Sequence, residues 1–259
     1  MKRDSVLEVS EVSVRFGGLT ALDSVSLTVE PRQVLGVIGP NGAGKTTLLN
    51  VLCGFTRPDQ GQVLIDGRRY HDLRPHRLAG LGIARTLQGV GLFDSLTAVE
   101  NVMVGADSRA RAGFLSALLG LPRSSRDETR LRREALEALD RVGAGAAADV
   151  RPGELPYGLR KRVTLARALA AQPKLLLLDE PASGLAEDEL TELGGLIREL
   201  ASDTSLVIVE HHMDLMMSVC DALVVLDFGK VIARGSPAVI QADPAVTAAY
   251  LGVSGPAGD

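Results

Sequence analysis

The stretch Gly39-Pro40-Asn41-Gly42-Ala43-Gly44-Lys45-Thr46 constrains this chain more than any other segment. It fits GxxxxGK followed by Ser or Thr at every fixed position. A short apolar run, Val34 to Ile38, leads into it, and Lys45 to Leu52 then has helical spacing. Strand, glycine-rich loop and helix in that order turn successive backbone N–H groups toward one point at a helix N-terminus. Such a point suits phosphate oxygens. Lys45 would set a point charge against β- and γ-phosphates, and the Thr46 hydroxyl is suited to Mg²⁺. Thr47 follows on the same turn and completes the set of candidate phosphate-loop residues.

A second element supports the first. Leu175-Leu176-Leu177-Leu178 is a fully apolar strand pattern that ends in Asp179-Glu180. In an open α/β sheet such a strand delivers its last residues to the edge where ligands bind. Asp179 is suited to the Mg²⁺ shell, and Glu180 to polarising an attacking water. Around these two motifs the chain alternates. Strand patterns cover Val12 to Phe16, Val25 to Val29, Gln62 to Asp66, Leu206 to Glu210 and Leu223 to Asp227. Helical patterns cover Arg160 to Ala171 and Glu187 to Ala201, and helix starts are expected at Ser236-Pro237 and Asp243-Pro244. The expected fold is α/β: a P-loop NTPase with a RecA-like core, a mostly parallel sheet and an N-terminal antiparallel β portion.

The middle of the chain differs. From about Asp94 to Asp149 there is no strong strand pattern, and Leu131, Ala135, Leu139 and Val142 share one face of a helix beginning near Asp127. The apolar patch Phe114 to Leu119 reads as a short packed helix or a docking surface. A single domain over 1–259 is expected, with its core at about 1–88 and 160–259 and a helical subdomain at about 89–159.

Composition narrows the role. A net charge of −4 gives no electrostatic case for nucleic acid, and 3% aromatics with no Trp argues against a base-stacking platform. No apolar run approaches the ~20 residues of a spanning helix, and no signal peptide is evident after Met1-Lys2-Arg3. Cys53 and Cys220 read as buried free thiols rather than a disulfide or metal framework. Met213, Met216 and Met217 read as helix packing, and His71 and His76 as solvated loop residues. The chain is expected to be cytoplasmic, with any membrane role coming through partners.

Further segments make the chain resemble the ATP-binding subunits of ABC transporters over nearly its whole length. Thr86-Leu87-Gln88 resembles the Q-loop. Leu155-Pro156-Tyr157-Gly158-Leu159 lies where the family signature does, immediately before the helix that starts at Arg160. Ser183-Gly184-Leu185-Ala186 resembles the D-loop, and Val209-Glu210-His211-His212-Met213 the switch-histidine segment. The resemblance implies ATP with Mg²⁺, Phe16 stacked on adenine, Gln88 reaching the metal and water, and His211 reaching a γ-phosphate oxygen. It also implies a head-to-tail pair of ATPase subunits, permease subunits in the membrane, and indirectly a solute-binding protein. The location implied is the inner face of the cell membrane.

Arg15-Phe16-Gly17-Gly18-Leu19-Thr20-Ala21, Gly82-Ile83-Ala84-Arg85-Thr86, the Leu-Pro-Tyr-Gly signature and Ala249-Tyr250-Leu251-Gly252 are similar to branched-chain amino-acid importers. The extra stretch around Asp107 to Arg126 resembles the larger of that system's two ATPases. Urea and short-chain amide importers share much of the pattern, and a catalytically weakened regulatory subunit is a further alternative. Four positions depart from the pattern: Pro156 replaces a serine common in the wider family, a change within the branched-chain subfamily's habit, Leu159 replaces a polar residue, Ala186 an Asp or Asn, and His212 the Asp usual in the subfamily. By the family's geometry Leu155 to Leu159 complete the partner's ATP site, whereas Gln88, Asp179, Glu180 and His211 serve this chain's own.

Overall fold

The computed structural model describes residues 5–70, 73–86, 89–106 and 122–251. His71, Gln88 and the 114–119 patch lie outside them. The chain forms two compact units, one from residues 1–81 with 177–259 and one from residues 82–176. The second unit therefore extends past the helical segment expected at 89–159 on both sides.

In the first unit an antiparallel sheet has the order β2-β1-β4-β5, from β1 (Leu7–Phe16), β2 (Leu19–Val29), β4 (Gln60–Ile65) and β5 (Arg68–Tyr70). β1 and β2 form a hairpin with Leu7 opposite Val29 and Phe16 opposite Leu19, so Gly17-Gly18 is a two-residue turn. β1 starts five residues before the alternation recognised at Val12. Glu11 adopts φ 51° where the register shifts, and that irregularity interrupts the period of two.

The larger sheet of this unit follows the order β10-β9-β3-β8-β7. Its strands are β3 (Val34–Ile38), β7 (Leu175–Asp179, of which residues 177–179 belong to this unit), β8 (Ser205–Val209), β9 (Ala222–Asp227) and β10 (Lys230–Gly235). β3 pairs in parallel with β8 and β9, and β10 turns back antiparallel on β9. Every residue of β3, β7 and β8 is buried, which explains sequences that are apolar except for Asp179 at the end of β7 and Ser205 at the start of β8. Each fully buried Leu or Val contributes about 1.5–3 kcal/mol relative to exposure.

Helices α1 (Lys45–Leu52), α5 (Glu187–Leu200), α6 (Met213–Val219), α7 (Pro237–Gln241) and α8 (Pro244–Leu251) complete this unit. Met216 is fully buried on α6, as packing predicts. Cys53 and Cys220 are both buried and outside any disulfide, and burial, with Asp221 adding to it, pushes the Cys220 thiol up to about 12. Ser236 occupies the N-cap of α7 without a side-chain cap hydrogen bond, so the hydroxyl expected to cap does not. Asp243 does act at α8, where its Oδ1 accepts from Ala245 N–H at 2.8 Å.

The second unit holds β6 (Ile83–Arg85), α2 (Ala98–Gly105), α3 (Pro122–Arg141) and α4 (Tyr157–Leu169), and the three helices pack on one another. α3 buries Leu131, Ala135 and Leu139, and Val142 is buried just past its end, so the face read from spacing is buried; the helix starts five residues before Asp127. α2 begins with a reciprocal cap: Thr97 N–H donates to Glu100 Oε2 at 2.7 Å and Glu100 N–H to Thr97 Oγ1 at 3.4 Å. Among the described residues no helix is long and apolar enough to cross a membrane.

Candidate active site

β3 ends at Ile38 and α1 begins at Lys45, so Gly39 to Gly44 form the connecting loop. Gly44 is the N-cap of α1 at φ 103°, and a Cβ there would lie 2.6 Å from the Ala21 carbonyl oxygen. Gly39, at φ 149°, has the Leu226 carbonyl where a Cβ would go. Neither position accepts a side chain. The loop is pinned from the β9–β10 turn, where Gly229 N–H donates to Ala43 O at 3.0 Å. α1 has no side-chain cap and no acid in its first turn. Its N-terminal N–H groups and dipole thus favour an anion.

Lys45 Nζ donates to Gly39 O at 2.7 Å and to Pro40 O at 2.9 Å, so the ammonium lies against the loop. Burial lowers the Lys45 pKa, and the negative charge of Glu180 partly opposes it. A partly desolvated ammonium beside a helix N-terminus is suited to phosphate oxygens. Asn41, Gly42 and Thr46 are exposed, while Pro40 and Thr47 are half-buried.

β7 brings Asp179, 5% exposed, to its last position, with half-buried Glu180 just beyond. Glu180 takes φ 47°, a left-handed conformation that costs a non-glycine residue about 1–3 kcal/mol. Its N–H donates to Val209 O at 2.9 Å, which ties it to the end of β8. Just past β8 stands Glu210, fully buried. Its Oε1 accepts from Ala182 N–H at 2.7 Å, and its Oε2 from His211 N–H at 2.8 Å and His212 N–H at 3.3 Å. The His211 side chain is 53% exposed, and its Nδ1 is 3.5 Å from Glu210 Oε2.

One unit therefore carries the phosphate loop, Asp179, Glu180 and His211. It also carries Phe16, which ends β1 and is 55% exposed, as an aromatic available for stacking would be. Gln88 falls outside the described residues. Sequence reasoning missed Glu210, although it carries the same signal used for Asp179: an acid at the end of an apolar strand.

The signature segment belongs to the other unit. Its helix was expected to start at Arg160 but begins at Tyr157. Pro156 is the N-cap, and Arg160 N–H closes the first turn on the Pro156 carbonyl at 3.0 Å. Proline lacks an N–H but keeps its carbonyl, so it can open a helix. Leu155 and Gly158 are buried, Leu159 is half-buried, and Pro156 and Tyr157 are exposed. The Arg160 guanidinium and the Lys161 ammonium lie 5.6 and 5.7 Å from the Tyr157 ring centroid.

The chain is similar to known proteins. Residues 22–183 match the ABC transporter family, and residues 230–255 match the branched-chain amino acid ATP-binding cassette transporter family. The chain is 41% identical to the high-affinity branched-chain amino acid transport ATP-binding protein BraF of Pseudomonas aeruginosa, over 95% of this chain and 98% of that one. It is 38% identical to LivG of Escherichia coli, which bears the same description, with the same coverage. Among solved structures, the ADP conformation of MJ1267, an ATP-binding cassette of an ABC transporter, is similar with a TM-score of 0.83. It shows 30% identity over 96% of this chain and 99% of that one. The chain belongs to the ABC transporter family, as one of its ATP-binding chains.

Proposed function

We propose that this chain binds ATP with Mg²⁺, hydrolyses it, and thereby energises import of branched-chain amino acids through separate membrane subunits. The observation that carries the hydrolytic reading is Glu180, a carboxylate just past β7 in the same unit as the phosphate loop, its N–H tied to the Val209 carbonyl at 2.9 Å. The match at residues 230–255 and the descriptions of BraF and LivG support the solute class.

In this reading the N–H groups from Gly39 to Thr47 and the Lys45 ammonium hold the β- and γ-phosphates, and Phe16 stacks on the adenine. The Thr46 hydroxyl, buried Asp179 and Gln88 form a hard oxygen donor set that would hold Mg²⁺, which when bound neutralises phosphate charge. Glu180 takes the proton of a water whose oxygen attacks the γ-phosphorus. The bond to the β,γ-bridging oxygen breaks, and ADP and phosphate are the products. His211 donates to a γ-phosphate oxygen. A general base of this kind is worth about 10²–10⁴ in rate.

Two chains would pair head to tail, so that Leu155 to Leu159 complete the partner's site. With leucine at 159 and alanine at 186, this chain offers that second half-site fewer polar groups than the family pattern supplies. The apolar residues Val90, Leu92 and Phe93, of which Phe93 is 51% exposed, are suited to receive a membrane subunit. That contact would hold the chain at the inner face of the membrane. Reconstitution with its permease subunits and binding protein in liposomes tests the assignment. ATP-dependent uptake of leucine, isoleucine or valine is expected; uptake of urea or a short-chain amide in their place contradicts it.

A further inference from the structure

We propose that Glu210 is a positioning residue for hydrolysis, one carboxylate that fixes both Glu180 and His211. This rests on the roles given to those two residues above. The side chain is completely buried where β8 ends, and both oxygens are committed. Oε1 takes the N–H of Ala182, two residues past Glu180, at 2.7 Å. Oε2 takes the N–H groups of His211 and His212 at 2.8 and 3.3 Å.

The backbone of Glu180 needs such a hold. A non-glycine residue at φ 47° stays there only when its surroundings over-determine it. Glu180 is held by its own N–H on the Val209 carbonyl, and the chain just beyond by Ala182 N–H on Glu210. The same carboxylate accepts the His211 backbone N–H at 2.8 Å and lies beside its imidazole. With Nδ1 at 3.5 Å from Oε2, the ring's Nδ1 edge faces Glu210 and its Nε2 edge points away. The orienting carboxylate behind a working histidine is a general device for fixing tautomer and direction.

Glu210, His211 and His212 also place ligand-type atoms within 4.8 Å of one another. That does not make a metal site, because the two Glu210 oxygens already accept three N–H groups. Glutamine cannot replace it: it keeps one acceptor oxygen and turns an NH₂ toward backbone donors.

The test uses the assembled transporter with Glu210→Gln, Glu210→Asp, His211→Ala, Glu180→Gln and the Glu210→Gln/His211→Ala double variant. Glu210→Gln is expected to lower kcat about tenfold to hundredfold, the usual effect of losing an orienting partner. Its KM for ATP should stay within about twofold, because the loss falls on the reacting geometry. In the His211→Ala background the same change should cost measurably less, since part of it acts through His211. If Glu210→Gln does not accumulate folded, Glu210→Asp, which keeps both oxygens on a shorter stem, carries the same measurement and should retain more turnover than any neutral variant that folds. A folded Glu210→Gln with unchanged kcat, beside an inactive Glu180→Gln, overturns the proposal alone. Full turnover in Glu180→Gln and His211→Ala overturns the reading of the site, and the proposal with it.

Discussion

Phe16 and Lys45 meet opposite ends of the same ligand in this account. Phe16 is more than half exposed at the end of β1, so Phe16→Ala removes little packing and should leave the fold intact. Loss of a base stack is worth about 1–3 kcal/mol, so ATP affinity measured by calorimetry should fall roughly 5- to 150-fold. An unchanged Kd would remove Phe16 from the site. Lys45→Ala should abolish measurable ATP binding while the melting temperature without nucleotide holds or rises, since the wild-type ammonium is partly desolvated there. At this scale the phosphate loop was legible because its chemistry demands fixed residue types at fixed spacing. Glu210 was not. An acid after an apolar strand is common, and only the three N–H groups converging on it distinguish this one.

Helix starts carry most of what separates this chain from its wider family. Pro156, Ala186 and His212 are the N-caps of α4, α5 and α6, and none makes a side-chain cap hydrogen bond; Leu159 lies in the first turn of α4. At α5 only the reverse half of a capping box exists, Ala186 N–H donating to Glu189 Oε2 at 3.0 Å. Ala186→Asn should therefore stabilise by about 0.5–2 kcal/mol, read as a rise of a few degrees in melting temperature. No rise would mean the hydroxyl-free cap is already satisfied by other means.

In α2 the fully buried Asn101 accepts from Phe93 N–H at 2.8 Å and donates to the carbonyls of Phe93, Leu96 and Thr97. Asn101→Ala leaves the Phe93 N–H without that acceptor, so a destabilisation of about 1–3 kcal/mol is expected in denaturant melts. The hydrogen bonds from Thr97 lower the Glu100 pKa, so the cap's contribution is present above the ordinary carboxylate range. It is lost as pH falls through the lowered value. Buried strands and long amphipathic helices were legible from periodicity. β5 and β6 have three residues each, too few to show a period, and α2 went unread although Thr97-Ala98-Val99-Glu100 is a sequence-level cap.

For the whole molecule, the phosphate loop, Asp179, Glu180 and His211 lie in one unit and the signature segment in the other. If each signature completes a partner's site, the leucine at 159 and the alanine at 186 weaken the half-site of the second ATPase chain. Neutralising the catalytic acid of this chain should then cost more turnover than the corresponding change in the partner, and equal losses would contradict that asymmetry. The fold class was legible because alternating strands and helices leave few arrangements for a buried parallel sheet. The division at residues 82 and 176 was not, because it runs through chain with no change in composition. The most direct test of hydrolysis at this chain's own site is ATP turnover by the assembled transporter carrying Glu180→Gln, measured alongside ATP binding. Turnover should fall at least about a hundredfold with binding retained; undiminished turnover would contradict the account.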